Sequence, residues 1–141
     1  MNIKGVLYGI AAVLPGTLKN KSGHIINLSS AAELRVSASV GTVYSATKFA
    51  VKAISEGLRA AVGASGVRVT TLYPGALASE LVNGSSDAEA SSAMKAFYEN
   101  YEISADSIAR AIAYAVELPI EFQLKMGVKS RSCMPNDLSF R

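Results

Sequence analysis

Tyr44 and Lys48 stand four residues apart in the run Tyr44-Ser45-Ala46-Thr47-Lys48, a spacing that places both side chains on one face of a helix, one turn apart. A phenol ionises near pH 10 and is a poor acid–base group at neutrality. An adjacent ammonium favours the phenolate, and each tenfold gain in that anion corresponds to about 1.4 kcal/mol. Bringing a tyrosine into working range asks for a hundredfold to thousandfold gain, roughly. Upstream, Ser29-Ser30 closes a short apolar run. A hydroxyl at the carboxyl end of a parallel strand lies in the crevice where open α/β sheets bind ligands, and it can donate to a carbonyl oxygen. Either serine could equally serve as a plain turn or cap.

These residues need elements to position them. Apolar side chains at Ile3, Val6, Leu7, Ile10, Ala11, Val13 and Leu14 recur at helical spacing, and Pro15–Gly16 followed by the polar stretch 19–23 predicts the end of that helix. His24-Ile25-Ile26-Asn27-Leu28-Ser29 is β-branched and bounded by Gly23, as expected of a buried parallel strand. A loop is expected from Ser30 to Gly41. From Thr42 to about Val62 the pattern is helical again, with Phe49, Val51, Ile54 and Leu58 on neighbouring turns and Gly63 and Gly66 as the stop. Val67–Tyr73 is a second strand closed by Pro74–Gly75. Ser85–Tyr98 is Ala- and Ser-rich with weak periodicity, a short helix on a loop. Ser104 suits the N-cap of a helix through Glu117, with Asp106 near the positive end of its dipole. The alternation predicts a parallel α/β sheet. Two strands and an uncertain third near the end are too few for a complete one, so the fold expected is a piece of a larger sheet.

Composition narrows the function classes. With 141 residues, half hydrophobic and 18% charged, the chain suits one globular core. The net charge of +3 gives no nucleic-acid footprint, because residues 1–120 hold ten Lys/Arg against nine Asp/Glu and most of the excess falls in the last 21 residues. The single Cys133 excludes an internal disulfide, and His24 has no Cys or His companion for a metal site. A reducing cytoplasm fits. The apolar stretch Gly5–Leu18 imitates a secretory signal, but Pro15–Gly16 interrupts it, no A-x-A site follows, and it is short for a membrane span.

Taken together, Gly23-His24-Ile25-Ile26-Asn27-Leu28-Ser29-Ser30, the Y-S-A-T-K of Tyr44–Lys48, and Tyr73-Pro74-Gly75 ahead of Ser79-Glu80-Leu81 resemble the short-chain dehydrogenase/reductase family over residues 1–82. Asn2-Ile3-Lys4-Gly5-Val6 is similar to the family's helix bearing a catalytic Asn. The fold implied is a partial Rossmann-type, doubly wound parallel sheet without its amino-terminal half. The resemblance implies Tyr44 as proton donor to a carbonyl or base toward an alcohol, and Ser30, 14 residues before it, as the group that orients that carbonyl. It implies Lys48 as the cation that stabilises the phenolate and binds the nicotinamide ribose, and Asn2 as the holder of a relay water. Pro74, Gly75, the Leu77 backbone and the Ser79 hydroxyl, where the family usually has Thr, are expected at the nicotinamide carboxamide. The substrate implied is a small carbonyl or secondary alcohol.

Three departures bear on this expectation. The Gly-rich pyrophosphate turn and the residue that chooses NAD or NADP are not in the sequence, so the choice between the two cofactors stays open. Met1 falls where the family is already inside its fifth helix, which leaves a fragment, an internal start and a misplaced start all open. Glu121–Arg141 does not resemble the family's apolar strand and tail, so residues 1–120 read as the catalytic half and 121–141 as an atypical basic tail. Two competing readings accompany the enzyme. One is a non-catalytic fragment acting as an interaction module, since the family commonly dimerises through helices that correspond to 2–14 and 42–62. The other is a serine acyl-enzyme, since Ser45-Ala46-Thr47-Lys48 satisfies S-x-x-K and Ser86-Asp87-Ala88 nearly imitates S-D-N, although no K-T-G follows.

Overall fold

The computed structural model describes residues 2–33, 41–79, 92, 95, 98–119 and 125–128. Helix α1 is Asn2–Asn20, strand β1 Gly23–Leu28, helix α2 Gly41–Val62, strand β2 Val67–Pro74, helix α3 Ala105–Glu117 and strand β3 Lys125–Val128, with a single 3-10 turn at Ala31–Glu33. The sheet order is β1-β2-β3 and both pairings are parallel. Gly23 pairs with Val67 and Leu28 with Leu72, and Thr71 pairs with Lys125 at the start of β3. β3 is the uncertain third strand of the sequence reading, and it lies inside the segment 121–141. Four residues of that segment therefore belong to the sheet, and the others lie outside the described residues, as do most of Ser85–Tyr98, Ser86-Asp87-Ala88 and Cys133.

The pleat explains the layering. Val67 and Val69 point from β2 to one face, where they pack with Ile25 of β1, Val62 and Leu58 of α2, and Ile10 and Leu14 of α1. Arg68, between them, points to the other face. There its guanidinium donates to the carbonyls of Ala115, Val116 and Leu118 at the end of α3, where the negative end of the dipole collects. Helices thus cover both faces, and β2 is buried along nearly its whole length, as a central parallel strand must be. Ser104 caps α3 as expected, its Oγ accepting from the Asp106 N–H.

The other elements fall within a residue of the sequence reading at each boundary, but the end of the first helix differs from it by several. Pro15–Gly16 does not end the first helix, which continues to Asn20 with Pro15 inside it. A proline leaves the carbonyl four residues earlier without its helical donor, and here both Ala11 and Pro15 are exposed, so water can satisfy that carbonyl. Thr17 Oγ1 donates to the Leu14 carbonyl at 2.9 Å in the same turn. The helix stops instead at Lys21, whose φ of 50° is left-handed: Lys21 N–H donates to Leu18 O and Ser22 N–H to Thr17 O, the paired bonds of a Schellman ending. Among the described residues no helix is long and apolar enough to cross a membrane.

The turn into β2 abuts this ending. Gly66 has φ +75°, and a Cβ there would collide with the Lys21 carbonyl. Gly66→Ala should therefore lower stability by at least about 1–2 kcal/mol from the backbone alone, measured as a shift in the urea midpoint without a change in slope.

Candidate active site

The end of β1 and the first turns of α2 form the site. Period two along β1 puts Ile25, Asn27 and Ser29 on the face toward α2, and all three are buried. Asn27 Nδ2 donates to Ser55 Oγ at 2.9 Å, and Ser55 Oγ donates in turn to the Val51 carbonyl. Lys48 Nζ donates to the Leu28 carbonyl at 3.2 Å, and Ser29 Oγ donates to the Lys48 carbonyl at 3.0 Å. The last two residues of β1 and the residue that follows it are thus bonded to one helix.

Those bonds decide where the expected site residues stand. Tyr44 and Lys48 share a face of α2 as their spacing predicts, with Nζ 5.6 Å from the centroid of the Tyr44 ring. Lys48 is half-buried, and burial holds its ammonium below the usual lysine value. Ser30 follows Ser29 directly, and its Oγ accepts from the Ala32 N–H at 3.1 Å, which leaves its own hydrogen available to donate. The two serines therefore differ in kind: Ser29 is 4% exposed and turned to the helix, whereas Ser30 is only partly buried at the site mouth.

Asn2, on α1, reaches the same turn by another route. Its Nδ2 donates to Thr47 Oγ1 at 3.1 Å, and that hydroxyl donates to the Tyr44 carbonyl at 2.7 Å. Asn2 and Lys48 also line one cavity of about 660 Å³ with Leu28 and Gly5. Pro74, the last residue of β2, is buried, and beyond it Gly75 and Leu77 are partly buried and Ser79 is exposed. Leu77 pairs in a lone parallel bridge with Ile103, in which Ile103 N–H donates to Ala76 O and Ala78 N–H donates to Ile103 O. The N–H and C=O of Leu77 itself therefore point to the opposite side.

That bridge brings in a residue that no sequence pattern singles out. Tyr98 is half-buried beside Tyr44 and Glu102. Burial first, then the negative charge of a Tyr44 phenolate and of Glu102, raise its phenol above the ordinary value and keep it a neutral donor. Ser45, the nucleophile of the S-x-x-K reading, is 2% exposed and offers no accessible hydroxyl. His24 donates to or accepts from Thr70 Oγ1 at 2.8 Å on the α3 face, with burial and then Arg68 lowering its proton affinity, far in role from the site.

Residues 1–90 match the family model described as short chain dehydrogenase. The chain belongs to the short-chain dehydrogenase family. An uncharacterized oxidoreductase of Staphylococcus saprophyticus is 50% identical over 123 residues, which cover 86% of this chain and 49% of that protein. The structure of serine dehydrogenase in its closed form with NADP+ superposes with TM-score 0.83 at 28% identity, covering 99% of this chain and 58% of the other. A 3-oxoacyl-[acyl-carrier protein] reductase from Brucella melitensis with bound NAD is 35% identical, with TM-score 0.51 over 55% of this chain and 29% of the other. This short-chain dehydrogenase chain thus spans about half the length of the curated relatives it matches.

The half-buried ammonium gives stability a definite pH dependence. Its folded proton affinity lies below that of the unfolded lysine, so between the two values the unfolded chain binds the extra proton and stability rises with pH. Unfolding free energies followed upward toward lysine's usual 10.5 should improve for the wild type relative to Lys48→Met. A difference between the two that is flat with pH would show that Lys48 is fully hydrated.

Proposed function

We propose that this chain is the catalytic half of an NAD- or NADP-dependent oxidoreductase that interconverts a carbonyl and a secondary alcohol in the cytoplasm, with Tyr44 as its acid and base. The observation that carries the reading is the hydrogen-bonded seating of α2 on the carboxyl end of β1, which gathers Tyr44, Lys48 and the strand end bearing Ser30.

Each residue has work that its surroundings support. Ser30, polarised by the Ala32 N–H, donates to the substrate oxygen and fixes the carbonyl. Tyr44 delivers the proton to that oxygen in reduction and withdraws it in oxidation. The Lys48 ammonium stabilises the phenolate so formed, and its half-burial strengthens the attraction relative to bulk water. Asn2, on the same cavity as Lys48, holds a water through its side-chain oxygen and passes protons outward from Lys48.

The residues present fit the nicotinamide end of the cofactor. The Leu77 backbone, turned away from Ile103, and the exposed Ser79 hydroxyl would offer donors and an acceptor to a carboxamide, Pro74 and Gly75 would wall it, and Lys48 would hold a ribose. When bound, the nicotinamide supplies or accepts the hydride, and the chain supplies the proton chemistry. Serine dehydrogenase with NADP+ and the Brucella reductase with NAD support both cofactors as candidates. Residues 1–120 form the catalytic half in this reading, and 121–141 its atypical basic tail.

A second reading, an interaction module, draws on one observation. α1 buries no residue and exposes Leu7, Tyr8 and Val13, while α2 exposes Val43 and Phe49. A second copy covering the helices at 2–14 and 42–62 would bury these side chains, in an active or an inactive homo-oligomer alike.

Fluorescence titration with NADH and NADPH, joined to a carbonyl-reduction assay, separates the two. Tyr44→Phe should reduce turnover by about 10² to 10⁴-fold while leaving the circular dichroism spectrum unchanged. Substantial turnover in that variant sinks the assignment of the acid, and a dimer that binds no cofactor supports the interaction module.

A further inference from the structure

The sequence leaves Ser29 and Ser30 as rivals for one role, and the structure separates them into two. Ser29 is fixed on both sides: its backbone N–H donates to the Leu72 carbonyl of β2 at 2.8 Å, and its Oγ donates to the Lys48 carbonyl of α2 at 3.0 Å. Lys48 lies inside α2, so its carbonyl already accepts a helical bond and uses its second lone pair for Ser29. The helix does not need that bond to be a helix. What the bond adds is direction. The apolar packing of Val51 and Val62 against the sheet is non-directional and tolerates rotation and sliding of α2, whereas a hydrogen bond with a preferred angle does not. One residue of slip would turn the Tyr44–Lys48 face by about 100°.

We infer that Ser29 is a positioning residue for Lys48: its buried hydroxyl grips the Lys48 carbonyl while the Lys48 ammonium grips the carbonyl of the residue before it, Leu28. These reciprocal bonds fix both the backbone and the side-chain end of one residue against two adjacent residues at the end of β1. Asn27 with Ser55 supplies a second anchor seven residues further along the helix, about two turns, so α2 is held at two points and its azimuth is set. The inference rests on the proposed role of Lys48, but its geometry does not depend on turnover.

The test reads Lys48 directly, by NMR titration of its side-chain nitrogen. In Ser29→Ala the ammonium should gain water and its titration should move upward toward that of ordinary lysine. Ser29→Thr, which keeps the hydroxyl, should restore the wild-type titration. Should the extra methyl prevent folding, Ser29→Cys, similar in shape and a weak donor, should behave as Ser29→Ala. Gly66→Ala lowers stability elsewhere and should leave the Lys48 titration where it is, which removes general loosening as an explanation. A Lys48 titration in Ser29→Ala that matches the wild type overturns the inference, whatever the assays show. The oxidoreductase reading is judged separately by Tyr44→Phe, and if it holds, Ser29→Ala should lower kcat about tenfold with KM little changed, the rate equivalent of one buried hydrogen bond.

Discussion

The structure turns on the junction between the carboxyl end of β1 and α2. A parallel strand ends with carbonyls and side chains facing a crevice, and a helix laid across it must be oriented by something more specific than burial. Here the strand supplies a polar ladder, Asn27, Leu28 and Ser29, each bonded to α2. Buried polar groups are costly when unpaired, so a slipped helix would take from Asn27 and Ser29 their side-chain partners on α2. The same desolvation that makes those groups a liability therefore makes the correct seating strongly preferred.

Lys48 shows the cost of this arrangement. A hydrated lysine stabilises nothing nearby, because water screens it; a half-buried one interacts more strongly but is disfavoured by its lost hydration. The chain compromises. One hydrogen of the ammonium is engaged by the Leu28 carbonyl, the Tyr44 ring lies at cation–π distance, and the open cavity shared with Asn2 keeps one side accessible. In the reading proposed above, that accessible side is where protons leave.

Much of this was legible in the sequence, for local reasons. The strands at 23–28 and 67–74, the helix from 41 and the Ser104 cap are written in short-range periodicity and capping chemistry, and Tyr44 with Lys48 follows from 3.6 residues per turn. The split between Ser29 and Ser30 was available too. Alternation from Ile25 through Asn27 places Ser29 on the helix face, and only the identity of its partner, 19 residues on, needed coordinates. Pro15 misled because its effect on a helix depends on whether the orphaned carbonyl meets water, which is a property of the fold. β3, Lys-Met-Gly-Val, carries little strand pattern of its own and is a strand because β2 offers it an edge. Tyr98 had no signal at all, since a two-bond bridge between Ile103 and the chain at Ala76 and Ala78 brings its segment back to the site.

The two edges of the sheet also divide the labour. Among the described residues β1 and β3 are its outer strands, so the central, doubly covered β2 provides rigidity while the end of β1 carries the candidate site. Among the described residues, the bonds that seat Tyr44 and Lys48 run from Asn2 to Thr47, from Asn27 to Ser55, and from Ser29 to both Leu72 and Lys48. The tie through Asn2 crosses between helices and acts on an exposed turn, where water competes with it. The tie through Asn27 is buried and the one through Ser29 partly so, where water competes less. Among the described residues, the seating of Tyr44 and Lys48 is therefore a local property of α1 and the β1-α2-β2 unit.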